Sequence, residues 1–438
     1  MVSMGVIHGN SYYTFVDASS WTNGESNANA LGGHLITIND VDEYNWAESN
    51  LWSSSALSSL GRDPETWSYV GFNDASSEGT YTWSSGESSD WNPITDLIHP
   101  QNWYLQQGHF GAWDYGIQPH NGGWDEEIYD PRIGNIKNRG SIVLMDNNAS
   151  FYRSHGTPIA GAVEIPLSYF SIADASFREG KGGDITITRT GGTTTSQRLR
   201  VKSSDGTATT SDNDYTAINT TVSFAAGETS KTISVSTTAD LDVEDDETFS
   251  LSITAEGTDD VPPQISDGSA KVTIKADDFK RGNSLYTIVD GPSWEQAESQ
   301  SNSLGGNLVS INSAAENQFI SNSFEDINQG YYGGVADKDI YWIGLTKQSG
   351  SWKWSDGSGF NFRNWGPKEP YEDSGKNDRA EITVEAYGGP WLQSAGNWNN
   401  NSDIISPLGR YGIAEISLVA TPTYSLSTSS TSIDFIQV

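Results

Sequence analysis

The sequence predicts a multidomain, β-rich protein in which two α+β units flank an antiparallel β-sandwich. Three observations predict it. A block near the start recurs near the end, the text between the copies alternates apolar and polar residues in short runs, and long helical periodicities are few. The length of 438 residues suits about three domains, each large enough for its own core.

The repeat is the most informative of the three. "SYYTFVDASSWTNGESNANALGGHLITINDVDE" (Ser11 to Glu43) aligns without a gap on "SLYTIVDGPSWEQAESQSNSLGGNLVSINSAAE" (Ser284 to Glu316), with about half the positions identical. Each copy reads as a short aromatic strand (Tyr12 to Val16; Leu285 to Val289) followed by an amphipathic helix entered at Ser20 or Ser293. That helix closes at Gly32-Gly33 or Gly305-Gly306, since glycine tolerates the left-handed conformation that ends helices. A strand ("HLITIN", "NLVSIN") and a second helix near Asp42 or Ala314 come next. Further on, "YVGFND…YTWSSG" matches "WIGLTK…WKWSDG", and both copies end in matching strands, "GAVEIPL" and "GIAEISL".

The middle segment is different in kind. "DITITRT", "QRLRVKSS", "TTVSFAA", "SKTISVST", "ETFSLSIT" and "AKVTIKAD" alternate with period two and are separated by turns such as Asp205-Gly206 and Ala226-Gly227-Glu228. Roughly six or seven such strands in this span predict an antiparallel sandwich.

Composition bounds the function. The 57 acidic against 24 basic residues give a formal net charge of −33, which repels nucleic acid and anionic bilayers, so neither is an expected partner. The acidic excess serves solubility or collects Ca²⁺ in loops. There are no cysteines, which excludes disulfides, thiolate zinc sites and cysteine nucleophiles. The six histidines are scattered except for His99, His109 and His120, which show no zinc-type spacing. Phosphate-binding, nucleophile-elbow, zincin and dinucleotide motifs are absent, so no chemical step is expected. The start, "MVSMGVIHGNSYYTFVD", lacks the pattern of a secretory signal, and no apolar run is long enough to span a bilayer. The expectation is export by another route, a fragment of a longer chain, or assembly into a particle.

The order aromatic strand, helix, Leu-Gly-Gly-x-Leu, second helix, W-I-G-L, W-x-W-S-D-G-S, N-W-x-P-x-E-P, W-N-x and G-I-A-E-I resembles the C-type lectin-like domain. The match covers nearly all of the second copy, and the two ends and central W-x-W block of the first. The middle segment, with "REGKGG", "SDGTATTSDNDY", "GETSKTISV", "DVEDDETFSL" and "VTIKADD", resembles the Calx-β domain, an Ig-like antiparallel sandwich. These resemblances imply a C-type lectin-like domain over 1–167 with a long aromatic loop insertion, a Calx-β sandwich over 168–279 and a second C-type lectin-like domain over 280–419. The tail over 420–438 resembles the first strand of repeats in large bacterial surface proteins.

Both resemblances imply Ca²⁺ as cofactor. Successive antiparallel strands alternate direction, so alternate loops meet at one end of a sandwich. Glu179, Asp205, Asp240, Glu244, Glu247, Asp277 and Asp278 would gather there, at positions where Calx-β domains place calcium ligands. Ala239 and Ala276 stand where two further acids belong, which implies one or two ions rather than a larger cluster.

Sugar-binding C-type lectin-like domains hold calcium with Glu-Pro-Asn, a further Glu, and Trp-Asn-Asp. Here Glu369 and Pro370 are kept and Tyr371 replaces the amide. Asn377 stands for the second Glu, Asp378 is kept, Asn399 follows Trp398, and Asn400 replaces the final Asp. These substitutions lower the charge of the site from about −3 to −1, and calcium affinity falls with carboxylate count. In the first copy the loop is instead "HPQNWYLQQGHFGAWDYGIQPHNGGWDEEIYD", where Trp103, Trp113 and Trp124 form a recognition surface or the small core of a long loop.

The expected function is non-catalytic recognition or adhesion at an extracellular or cell surface, with a glycan or surface protein as partner and a calcium-stiffened spacer between two weak sites. The alternative is a structural subunit of a surface layer, fibre or virion, a homo-oligomer or larger assembly in which the lectin-like domains touch only protein.

Overall fold

A computed structural model describes residues 4–19, 21–62, 67–73, 82–88, 159–257, 261–325, 327, 331–332, 335–336, 340–371, 378–385, 394–401 and 411–418. Five short strands between 119 and 144, and the antiparallel pair Tyr424–Ser429 and Ser432–Gln437, are described as backbone.

In the N-terminal unit the strand Ser11–Asp17 pairs antiparallel with Ile159–Pro166, so the first and last parts of the unit lie side by side. Trp67–Asn73 adds in parallel to Ile159–Pro166, and Ser141–Leu144 pairs beyond it. The C-terminal unit repeats this plan. Ser284–Asp290 pairs with Tyr411–Ser417, Ile340–Gln348 adds in parallel, and Arg379–Thr383 and Trp398–Asn401 extend the sheet.

The expected helices form at Trp21–Ala30 and Val41–Ala47, and at Trp294–Ser303 and Ala314–Ser323. Their starts follow capping chemistry: Ser293 and Ser313 accept from the third backbone N–H of their helices, and Asp40 does the same from Glu43. Glu43 and Glu316 reach back to the N–H of Asn39 and Asn312, the residues just before the N-caps, a one-residue variant of the capping box. Trp21 and Trp294 both donate an indole N–H to a strand carbonyl, at 2.8 Å from Val70 O and Ile343 O. Gly32 and Gly305 adopt φ of +86° and +85°, the left-handed turn that stops each first helix.

Between the units, a four-stranded sheet and a five-stranded sheet enclose one core. Phe170, Leu199, Val201, Phe224, Leu251 and Val272 are fully buried in it. Every run expected to be a strand is one. Ser168–Ile172, Ala175–Arg178 and Gln264–Asp267 are additional.

Without disulfides, the C-terminal unit is held by aromatic packing. Trp354 and Trp398 meet edge to face at 5.6 Å, Phe362 and Trp365 pack against Trp398, and the buried Trp398 indole donates to Asn317 at 2.7 Å. Such contacts contribute about 0.5–1.5 kcal/mol each beyond area burial.

The two junctions differ. At one, Leu167 and Val261 are buried with Tyr12, Val16, Val163 and Ile165 of the N-terminal unit, an apolar joint. At the other, Asp278–Arg281 pairs with Ser284–Asp290, so a residue expected at the metal end of the sandwich is already part of the C-terminal sheet.

Candidate metal centre and recognition loop

The end of the sandwich that faces the C-terminal unit collects two groups of carboxylates. Glu179 follows the strand Ala175–Arg178, Asp240 sits in the loop after Ser230–Val235, and Asp278 opens the C-terminal sheet. One oxygen from each of these three lies within 4.8 Å of the others, as do oxygens from Asp214, Glu244 and Glu247. Glu179, Asp214, Asp240, Glu244 and Glu247 line a single cleft together with Ala276.

The electrostatics are those of a site short of positive charge. Burial pushes Glu179 up to about 8, helped by the charges of Asp277, Asp278 and Asp240 and opposed by the Asp240 N–H it accepts at 2.9 Å. Asp278 is 1% exposed, and neither of its buried oxygens makes a hydrogen bond of normal geometry, the Thr287 hydroxyl being its one weak polar neighbour. Burial raises it to about 7, and the Thr287 hydroxyl offsets this only in part. Burial and the neighbouring Asp214 raise Glu247 to about 7, and Glu244 is raised for similar reasons. Unpaired buried carboxylates are costly, and a hard divalent cation is the partner that oxygen clusters of this kind accept.

Not every expected residue joins. Asp205 stands apart, accepting from the Tyr215 hydroxyl at 2.6 Å and the Thr210 N–H at 3.1 Å; the Tyr215 hydrogen bond lowers its pKa. Asp277 adjoins the first group but pairs with Arg178 at 3.2 Å; burial raises it to about 6 against the pull of that guanidinium. Asp214 was not expected. Its signal was the run Ser211-Asp212-Asn213-Asp214 immediately before Tyr215, a buried ring that fixes the loop against Phe249 at 3.8 Å. Of the two alanines, Ala239 packs against Gly180, where an added Cβ would lie 2.4 Å away, and Ala276 lines the cleft.

Across the cleft's edge, Arg178 and Lys181 tie the two modules together. Arg178 lies 4.5 Å over the Tyr411 ring and 3.5 Å from Asp290, and Lys181 is 2.7 Å from Asp290.

In the C-terminal unit, the candidate ligand positions diverge. Glu369 Oε2 accepts from Tyr371 N–H at 2.9 Å, Asp378 pairs with Arg379 at 3.1 Å, and Asn399 donates to the buried Glu381. Tyr371 is 56% exposed. Asn377, Trp103 and Trp113 lie outside the described residues, and Trp124 is described only as backbone in the short strand Gly123–Trp124. Asn400 was not a candidate ligand, yet it clasps the loop at Tyr371. Its place as the substitute for the final Asp was the available signal.

Matches to family models cover the sandwich and the C-terminal unit. The Calx-beta domain model matches residues 164–278, and the Lectin C-type domain model matches residues 290–405. C-type lectin domain family 10 member A of Mus musculus is 34% identical over 106 residues, covering 23% of this chain and 30% of that protein. Asialoglycoprotein receptor 2 of Rattus norvegicus is 33% identical over 130 residues, covering 27% and 35%. The chain thus spans about a third of the length of these curated relatives. The crystal structure of the C-type lectin CEL-I from Cucumaria echinata aligns at 22% identity and TM-score 0.25, covering 33% of this chain and 97% of that one. The apo-form Calx CBD1 domain aligns at 18% identity and TM-score 0.22, covering 25% and 99%. Among the described residues, no helix is long and apolar enough to cross a membrane. The chain is a β-rich multidomain protein carrying a Calx-beta domain and, after it, a C-type lectin domain, two domain types that bind Ca²⁺.

Proposed function

We propose that this chain is a non-catalytic recognition protein acting at an extracellular or cell surface. It binds a glycan or surface protein through lectin-like domains, and its Calx-β module is a calcium-stiffened spacer. Residues 1–167 form the first lectin-like domain, 168–279 the spacer, 280–419 the second lectin-like domain, and 420–438 a β-rich extension. The matching strand order and paired indole contacts of the two α+β units support the first assignment.

Asp278 is the observation that carries the calcium reading. It is buried, its oxygens make no hydrogen bond of normal geometry, and it belongs to the C-terminal sheet while facing Glu179 and Asp240. These three residues would hold one ion and Asp214, Glu244 and Glu247 a second. The ions would supply the positive charge that the clustered carboxylates lack. Because Arg178, Lys181, Asp290 and Tyr411 bridge the same edge, filling the cleft fixes how the second lectin-like domain is carried relative to the spacer. Two weak sites held at a set spacing then gain by avidity.

The test is calorimetric titration of Ca²⁺ into chelator-stripped full-length protein, beside Asp278→Asn and Glu247→Gln variants, followed by glycan-array binding with and without the ion. The expected result is calcium heat that each variant reduces, together with a glycan signal. Calcium heat without a glycan signal, joined to ordered self-assembly, moves the reading to a structural subunit. No heat at all removes the calcium spacer.

A further inference from the structure

The C-type lectin match implies a calcium-closed loop in the C-terminal unit, and the residues there do not fit that closure. The strand Trp398–Asn401 alternates, so Trp398 enters the core and Asn400, two residues on, comes to the same face beneath the loop. Asn400 is 8% exposed. Its carboxamide grips the backbone of one residue at two points: Oδ1 accepts from Tyr371 N–H at 2.7 Å, and Nδ2 donates to Tyr371 O at 2.9 Å. That is the pattern of a strand partner, made by a side chain.

Among the described residues, the other candidate donors have partners in the protein. Glu369 is folded back on the same Tyr371 N–H, and Asp378 is held by Arg379. Asn399 and Asn401 lie on the opposite face of their strand and donate to Glu381, which sits opposite Asn399 in the register. Among the described residues these groups therefore point in separate directions, and the one buried oxygen of theirs left without a partner, Asn399 Oδ1, belongs to a residue on the strand face opposite Asn400.

We propose that Asn400 closes this loop in place of a cation, so that the C-terminal lectin-like unit presents the loop, with the Tyr371 ring exposed, whether or not calcium is present. An amide suits this task because it offers one donor and one acceptor, which a carboxylate cannot. The proposal goes beyond the calcium reading of the sandwich and stands if that reading fails.

The test is hydrogen exchange at the Tyr371 amide in the full-length chain carrying Glu179→Gln and Glu247→Gln, which silence the sandwich. It is read in saturating calcium and in chelator, with the Ile382 amide as a core reference. The expected result is equal protection of Tyr371 in both media, and a loss of about tenfold or more in both when Asn400→Ala is added. A rise of tenfold or more on adding calcium, without the Asn400 change, would mean that an ion closes the loop and overturns the proposal. Unchanged protection in Asn400→Ala overturns it as well. The calcium comparison needs no Asn400 variant, so it decides even if that variant unfolds.

Discussion

Two loop clusters of this protein are built from the same residue types and end in opposite states. At the end of the sandwich, Glu179, Asp240 and Asp278 converge, and the buried Asp278 oxygens make no hydrogen bond of normal geometry. In the C-terminal unit, Glu369, Asp378, Asn399 and Asn400 lie near one loop without converging; both acids are held by protein groups, and Asn399 Oδ1 is the oxygen left buried without a partner. The difference teaches that the number of acids in a loop says little about a metal site. What separates the two, among the described residues, is whether the carboxylates converge on one another, because buried carboxylates gathered without a countercharge are stable only with a cation or a proton.

The largest effect that tests this contrast is calcium itself. At a hundredfold excess over its dissociation constant, each of the two ions, bound only by the folded state, adds about 2.7 kcal/mol. In a domain of this size, that raises the unfolding temperature of the sandwich by on the order of 10 °C. Scanning calorimetry with calcium and with chelator should show that shift in the sandwich transition. Asp278→Asn should shrink it, with calcium affinity falling roughly tenfold or more as one carboxylate is lost. A shift that survives in Asp278→Asn and vanishes in Glu369→Ala would reverse the comparison.

A third acidic group sharpens it, because it is buried and partly answered. In the N-terminal unit the Tyr13 hydroxyl donates to Glu43 at 3.0 Å and to Glu164 at 3.1 Å. Burial pushes Glu164 up to about 7, with the Glu43 and Glu87 charges adding to it and the Ser11 and Tyr13 hydrogen bonds opposing it. The C-terminal counterparts are Tyr286, Glu316 and Glu415, but there Arg281 stands 3.7 Å from Glu316, whereas His8, in the equivalent register position, stacks on Trp46 at 4.1 Å. A raised carboxylate pKa means the folded state holds the proton more tightly. Its stabilising contribution is therefore complete below about pH 4.5 and is lost as pH rises through about 7. The loss is about 3 kcal/mol for a shift of this size. The N-terminal unit should lose stability over that window by denaturant titration, and Glu164→Gln should flatten the slope. Calcium should not restore it, since no third carboxylate converges there among the described residues.

Much of this was legible in the sequence. The repeat fixed both α+β units down to the indole at the first helical turn, because a helix that must pack its first turn on a sheet needs the same ring in both copies. Period-two alternation located the sandwich strands. The short strands Ala175–Arg178 and Gln264–Asp267 escaped because they pair in parallel with distant partners, which local alternation does not record. For the site, loop alternation brought most of the acids to one end but not their individual roles. Asp205 and Asp214 lie in one loop, and only the ring of Tyr215, turning one toward its hydroxyl and leaving the other to the cleft, distinguishes them. Arg178 was not singled out because its partners Asp290 and Tyr411 lie far along the chain in another module.

The smallest expected effect tests the contrast most directly, since it asks whether one state can be turned into the other. Asn400→Asp keeps an acceptor for the Tyr371 N–H but replaces the donor with an oxygen facing the Tyr371 carbonyl, at a position where the amide now sits 2.9 Å away. Two acceptors left in contact cost about 1–3 kcal/mol. A divalent cation held between that carboxylate, the carbonyl and Glu369 would relieve the clash, as it would for Asp278. With the sandwich silenced by Glu179→Gln and Glu247→Gln, the variant's C-terminal unit should melt a few degrees lower in chelator and recover with calcium, while the parent with native Asn400 shows no response. An equal calcium response in both would mean that convergence of carboxylates is not what separates the two clusters.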